Sequence, residues 1–237
     1  MVSIISIIGI FPIVILFTIC FGLTLRSYLK NPNRAKIFFM GWAIAVVLTY
    51  LTWGIRILII PQFETDTKVL YPFWALAYAF GGSSMVALDF ATIEMSKMKE
   101  STYKKYVIII ILITWISTFV ILFIGFEVAL ITFMDVSDLM ISNSYVYFYF
   151  TILILFYLFF PNAIFIRFLI KSHDKTEFIY KRIRIIELGI LLFSIGIALD
   201  GMRFPSNLGI FIARLIIMIG GIIMVKGLLM KPAEKKL

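Results

Sequence analysis

The sequence predicts an all-α integral membrane protein: a single bundle of seven transmembrane helices, N-terminus outside and C-terminus in the cytoplasm. Three observations predict it. The 237 residues are 62% hydrophobic and only 15% charged, against roughly 45–50% and about 25% in an ordinary soluble domain, and mean hydropathy is +1.05. A membrane helix takes about 20 apolar residues, and seven apolar runs of that order follow one another along the chain. Lysine and arginine collect in alternate connections between those runs.

The runs are Ser3–Leu25, Ile37–Ile60, Leu70–Ile93, Tyr106–Leu130, Tyr145–Ile170, Ile186–Phe204 and Leu208–Met230. Helix is the economical reading of each, because an unpaired backbone amide in hydrocarbon costs several kcal/mol (of order, per group) and none alternates like a barrel strand. The first run lacks a basic leader and exceeds a signal-peptide core in length, so it reads as a retained helix. The third carries Ala75, Ala79, Ser83, Ala87 and Ala91 at steps of four, with Gly81 and Gly82 beside its centre. Small side chains let helix backbones approach closely in lipid, so this helix is expected at the centre of the bundle. In the fifth run Pro161, followed by Asn162, removes a backbone hydrogen bond and is expected to kink the helix. Phe204-Pro205-Ser206-Asn207 is a turn signal that separates the last two runs, and Gly220-Gly221 marks a second point of close approach in the seventh.

The connections set the orientation. The first holds Arg26, Lys30, Arg34 and Lys36; the third Lys97, Lys99, Lys104 and Lys105; the fifth Lys171, Lys175, Lys181, Arg182 and Arg184; and the tail Lys231, Lys235 and Lys236. The second connection sets Lys68 against Glu64 and Asp66, and the fourth has Asp135 and Asp138 without a base. The positive-inside rule then places the basic segments in the cytoplasm. The same rule accounts for the +9 net charge without nucleic acid; the lipid bilayer is the expected environment and the cell membrane the expected location. Tyr71, Trp74, Tyr145 and Tyr147 on one side and Tyr28, Tyr103 and Tyr106 on the other read as interfacial belts. Lys175–Arg184 is expected either to lie on the inner leaflet or to extend the sixth helix.

Ionisable residues inside spanning helices are expensive and face protein or water, so they are the functional pointers. Arg56, Glu127, Asp200 and Arg214 fall towards the outer side, with Arg214 roughly 9 Å into the seventh run at 1.5 Å per residue. Asp200 and Arg214 are expected to pair across the tight turn, and either the four to line an outward-facing ligand pocket or the pair Asp200–Arg214 to act as a breakable latch. Asp89, Arg167 and Glu187, with Glu94 and Lys226, fall near the cytoplasmic boundary; Asp89 is expected to pair with Arg167 or Lys226.

Catalytic chemistry is missing from the pattern. One histidine and one cysteine leave no paired-imidazole metal site and no internal disulfide. There is no HExxH, GxSxG, P-loop or GxGxxG, and the seventh run has no mid-span lysine for a retinal Schiff base, only Lys226 near its end. No enzyme activity, cofactor or metal is expected.

The first connection and the aromatic second run, RSYLKNPNRAKIFFMGWAIAVVLTYLTWGIRI (Arg26–Ile57), together with the seven-helix topology, resemble the seven-helix N-terminal sensor region of membrane histidine kinases. The resemblance covers the first two helices by pattern and the rest by topology, and carries no invariant motif. It implies a receptor or sensor function. Because seven residues follow Met230, output is expected through a partner protein docked on the basic cytoplasmic face. The alternatives are a small-solute transporter or channel, and a structural or assembly subunit of a larger membrane complex.

Overall fold

The computed structural model describes residues 4–59, 67–96, 103–124, 128–133, 136–141, 143–171, 178–201 and 207–231. It contains seven helices, α1 Ile4–Lys30, α2 Arg34–Ile59, α3 Thr67–Met95, α4 Lys104–Ile124, α5 Ser144–Lys171, α6 Phe178–Gly201 and α7 Asn207–Leu229, with strands β1 Val128–Phe133 and β2 Val136–Ile141 between α4 and α5. Six of the helices, α1 to α5 and α7, are long and apolar enough to cross a membrane, the composition of a multi-pass membrane protein. α6 has the length but carries Lys181, Arg182, Arg184, Glu187 and Asp200.

Caps define several ends. Asn33 Oδ1 accepts from Ala35 N and opens α2, and Asn143 Oδ1 accepts from Tyr145 N and Val146 N and opens α5, as asparagine at an N-cap does. Lys36 Nζ donates to Ser27 O and Asn31 O, closing the carbonyl end of α1. Arg182 does the same for α7 through Gly227 O and Leu228 O. Basic groups are favourable there because the last carbonyls are unpaired and carry the negative pole of the helix.

Consecutive helices run antiparallel. Gly41 meets Ala87 and Gly81 meets Thr49 between α2 and α3; Glu94 pairs with Lys104, Ser83 with Trp115 and the Leu122 carbonyl with Tyr71 between α3 and α4. An odd number of antiparallel helices puts the start of α1 and the end of α7 at opposite ends of the bundle. The end holding Lys36, Lys104 and Arg182 is called the basic end below, and the other the far end.

Helices α1, α2, α3, α5, α6 and α7 form a closed ring, each packed on the next and α7 back on α1. Trp42 of α2 lies at its centre, edge-on to Phe17 of α1 and Phe193 of α6 at centroid distances of 5.0 and 5.3 Å. α4 lies outside the ring, burying only Ile111, Thr118 and Leu122 among its described residues. α3 packs on α2, α4 and α5 and is the branch point, as its small residues predict. Those residues do not form one ridge, however. A step of four turns about 40° past a full circle in a helix with 3.6 residues per turn, so the row winds around α3. Ala75 and Ala79 pack with α4 and α5, while Ala87 approaches Gly41 of α2 and Ala91 joins the central core.

Three sequence expectations change. The fourth run, read as helix to Leu130, is described as helix to Ile124, while its last residues, 128–130, lie in β1, paired antiparallel with β2 from Val128↔Ile141 to Phe133↔Val136. A short β-branched apolar segment fused to an apolar helix has no periodicity to betray it, so the all-α class holds for the seven helices and gains a hairpin. α6 begins at Phe178 rather than Ile186, so the basic segment from Phe178 onward extends the helix. Trp74, read as part of an aromatic belt, is packed inside the protein: it is 1% exposed, in a cluster with Leu70, Leu122 and Phe150. α5 continues through Pro161, with Asn162 Nδ2 donating to Leu158 O.

α6 and α7 form the tightest contact, built on a spacing of seven: Arg182, Gly189 and Gly196 on α6 face Gly227, Gly220 and Ala213 on α7. A Cβ on Gly196 would lie 2.8 Å from Ile217 N and 3.0 Å from Ala213 O. A seven-residue repeat keeps one seam facing its partner along the whole pair. Gly221 turns the other way, its Cβ position 2.7 Å from Phe17 Cζ of α1.

Candidate functional site

Of the charged residues expected at one end of the bundle, Asp200 and Arg214 meet there, with residues of α1 and α2 beside them. Asp200, one residue before the end of α6, lies beside Arg214, two turns into α7, with Oδ1 3.5 Å from Nε; both side chains are 6% exposed. Tyr50 of α2, 2% exposed, donates its hydroxyl to Asp200 Oδ2 at 3.0 Å. Gly9 of α1 makes room for the guanidinium: a Cβ there would sit 2.9 Å from Arg214 Cδ and 3.0 Å from one terminal nitrogen. Arg56 is 2% exposed, its Cζ 5.6 Å from the centroid of the Trp53 ring, and Trp53 stacks edge-on with Tyr50 at 6.0 Å. A cation over an aromatic face is stabilised further when desolvated.

The Asp200–Arg214 pairing inferred from depth in the sequence is therefore present, and Arg56 shares this end of α2. Glu127 lies outside the described residues. Both members of the pair are enclosed, each side chain 6% exposed. Tyr50 and Gly9 were missed, since a tyrosine and a glycine in apolar helices carry no charge to draw attention.

No protein-family model and no curated protein matches the chain significantly. Among the described residues, no group of three or more His, Cys, Asp or Glu could hold a metal ion.

At the basic half, Asp89 is completely buried and neither carboxylate oxygen has a hydrogen-bond partner among the described residues. This corrects the expected ion pair: Arg167 and Lys226 are both exposed, their long stems carrying the charge outward. Glu187, 6% exposed, likewise has no partner for either oxygen. Glu94 instead finds Lys104 at 3.1 Å. Between α3, α4 and α5 runs a series of hydroxyl contacts invisible in the sequence. Thr114 Oγ1 contacts Tyr157 Oη at 2.6 Å, Ser117 Oγ contacts Tyr149 Oη, and Trp115 Nε1 donates to Ser83 Oγ at 3.1 Å.

Proposed function

We propose that the chain is a non-enzymatic, receptor-like seven-helix protein of the cell membrane, and that the Asp200–Arg214 pair, with Tyr50, is a latch that signalling opens. In this reading α6 completes seven crossings, the N-terminus lies outside, and the basic end faces the cytoplasm, where a partner protein receives the output. The resemblance of Arg26–Ile57 to histidine-kinase sensor regions supports it. The observation that carries it is the enclosed ion pair joining α2, α6 and α7. Replacing a buried ion pair by apolar residues of similar size is often neutral or stabilising, whereas removing one partner costs about 3–5 kcal/mol. Such a pair is therefore a poor staple and a good switch, since a ligand with different affinity for the paired and parted states shifts their populations.

The test compares Asp200→Leu/Arg214→Met with the wild type for unfolding in detergent, for exterior ligand binding and for cytoplasmic crosslinking. The reading expects a double variant as stable as the wild type whose crosslinks no longer respond to ligand. A double variant destabilised as much as either single change, with no ligand or partner recovered from the wild type, makes the pair a structural staple and removes the proposal.

A further inference from the structure

We propose that the lipid-facing surface at the basic end holds anionic phospholipids at two matching sites, one on α1 and one on α5, each gripping a headgroup phosphate between an arginine and a lysine. The inference requires the helices to sit in a bilayer. It does not depend on the Asp200 latch, which lies towards the far end.

The two sites share a spacing. On α1, Gly22, Arg26 and Lys30 follow one another at steps of four; on α5, Ala163, Arg167 and Lys171 do the same. Each lysine is the last residue of its helix, and each arginine lies about 6 Å inside that end. A step of four keeps residues on one helix face, with Cβ atoms about 5–6 Å apart, so the two cations of each site can share one phosphate. All six residues are exposed. So are the large apolar side chains of the same surfaces, Ile19 at 54% on α1 and Phe159 at 68% on α5, which is the surface a ring of helices turns towards lipid. A Cβ on Gly22 would meet nothing within 4 Å. The small residue therefore leaves an open step one turn deeper than Arg26, and Ala163 holds the same position relative to Arg167.

Other cations of the basic end already have partners. Lys36 and Arg182 turn onto the last carbonyls of α1 and α7, and Lys104 holds Glu94. Arg26, Lys30, Arg167 and Lys171 make no ion pair or hydrogen bond among the described residues. The described carboxylates of this half do not serve them either, since Asp89 and Glu187 are buried and Glu94 is engaged. A long cationic side chain on a lipid-facing helix carries its charge to the headgroup layer, where phosphates are the acceptors. Arginine meets a phosphate with a planar fork of donors, and lysine adds a compact point charge. A zwitterionic headgroup sets its own ammonium against its phosphate. Net-anionic lipid is therefore preferred, by about fivefold for each cation near the surface, and the two cations of a site act together.

The test strips the full chain of lipid in detergent, titrates it with an equimolar mixture of phosphatidylglycerol and phosphatidylcholine, and counts bound lipids by native mass spectrometry. The wild type is expected to hold two phosphatidylglycerol molecules, each preferred over phosphatidylcholine by about tenfold or more. Arg26→Gln/Lys30→Gln and Arg167→Gln/Lys171→Gln are each expected to lose one of them, and the four changes together to leave a preference within about twofold of even. Arg34→Gln/Lys105→Gln removes the same charge from exposed positions at the same end and is expected to keep both lipids. The wild-type preference tests the proposal even if a variant does not fold. A wild type without preference overturns it. So does a control variant that loses as much as the paired variants, because net charge then explains the attraction. Binding of polyglutamate that the paired variants abolish, with an even lipid preference, assigns the surface to an acidic protein and likewise overturns it.

Discussion

Gly189 of α6 and Gly220 of α7 lie so close that a Cβ on either would come within 2.8 Å of the other's carbonyl oxygen. The contact matters because α6 is the most heavily charged of the helices. In lipid, helices associate through such close approach rather than through a hydrophobic driving force, so the glycine seam holds the charged helix against an apolar neighbour.

Gly220→Val is accordingly expected to destabilise the protein by about 1–3 kcal/mol or more, the scale of forced overpacking. The obstructing atoms are backbone, Phe193 N at 2.5 Å and Gly189 O at 2.8 Å, and cannot swing aside. Gly22→Ala and Gly82→Ala, whose Cβ positions meet nothing within 4 Å, are expected to be neutral or to stabilise by up to about 1 kcal/mol through helix propensity. Unfolding in mixed detergent micelles distinguishes the two sets; equal losses in both would mean that the seam is not the tight contact.

Arg182→Met is expected to weaken the end of α7, since it removes the donors to Gly227 O and Leu228 O. The loss should be about 0.5–2 kcal/mol, as for a helix cap, and should appear as faster amide exchange confined to the last turn of α7. Lys36→Met is expected to do the same to the last turn of α1. Exchange that is unchanged at both ends would assign the two cations no capping role.

The Trp115 indole and Ser83 hydroxyl, 3.1 Å apart, tie α4 to the ring. A double-mutant cycle of Trp115→Phe with Ser83→Ala should give a coupling of about 0.6 kcal/mol, and no more than about 1.7, the range measured for hydrogen bonds between membrane helices. Zero coupling would mean that this hydrogen bond adds nothing to the attachment of α4.

Orientation is tested by labelling single cysteines introduced at Lys104 and at Asp135 in intact cells, on a background with Cys20 replaced. Cys20 is 3% exposed and contributes little labelling of its own. The positive-inside rule expects Asp135→Cys to react with an impermeant reagent and Lys104→Cys to react only after permeabilisation. Reaction of both from the same side overturns the orientation and, with it, the exterior position of the latch.

The helices were legible in the sequence because each spanning run must satisfy its own backbone in hydrocarbon, which leaves composition and length to announce it. Asp200 and Arg214 were legible as a pair because a short turn between antiparallel helices fixes their depths. Tyr50, Gly9 and the hydroxyl contacts of α4 with α5 were not, for they are neutral residues whose meaning depends on which helix faces which. Asp89 could be placed by depth, but its expected partners are exposed instead, because depth along a helix says nothing about rotation around it. β1 was hidden in an apolar run that continues without a break from α4.

The sequence by itself determined seven helices, their order and the lysine-rich connections at alternate ends, since these follow from one-dimensional hydropathy and charge. Only the tertiary structure decided that six helices close a ring around Trp42 with α4 outside, that Asp200 and Arg214 are enclosed with Tyr50, and that Asp89 is buried without a hydrogen-bond partner among the described residues. These depend on the azimuth of each helix, which in lipid is set by where small side chains let backbones touch and where polar groups find one another. Both are properties of pairs of helices, and neither can be read from one of them alone.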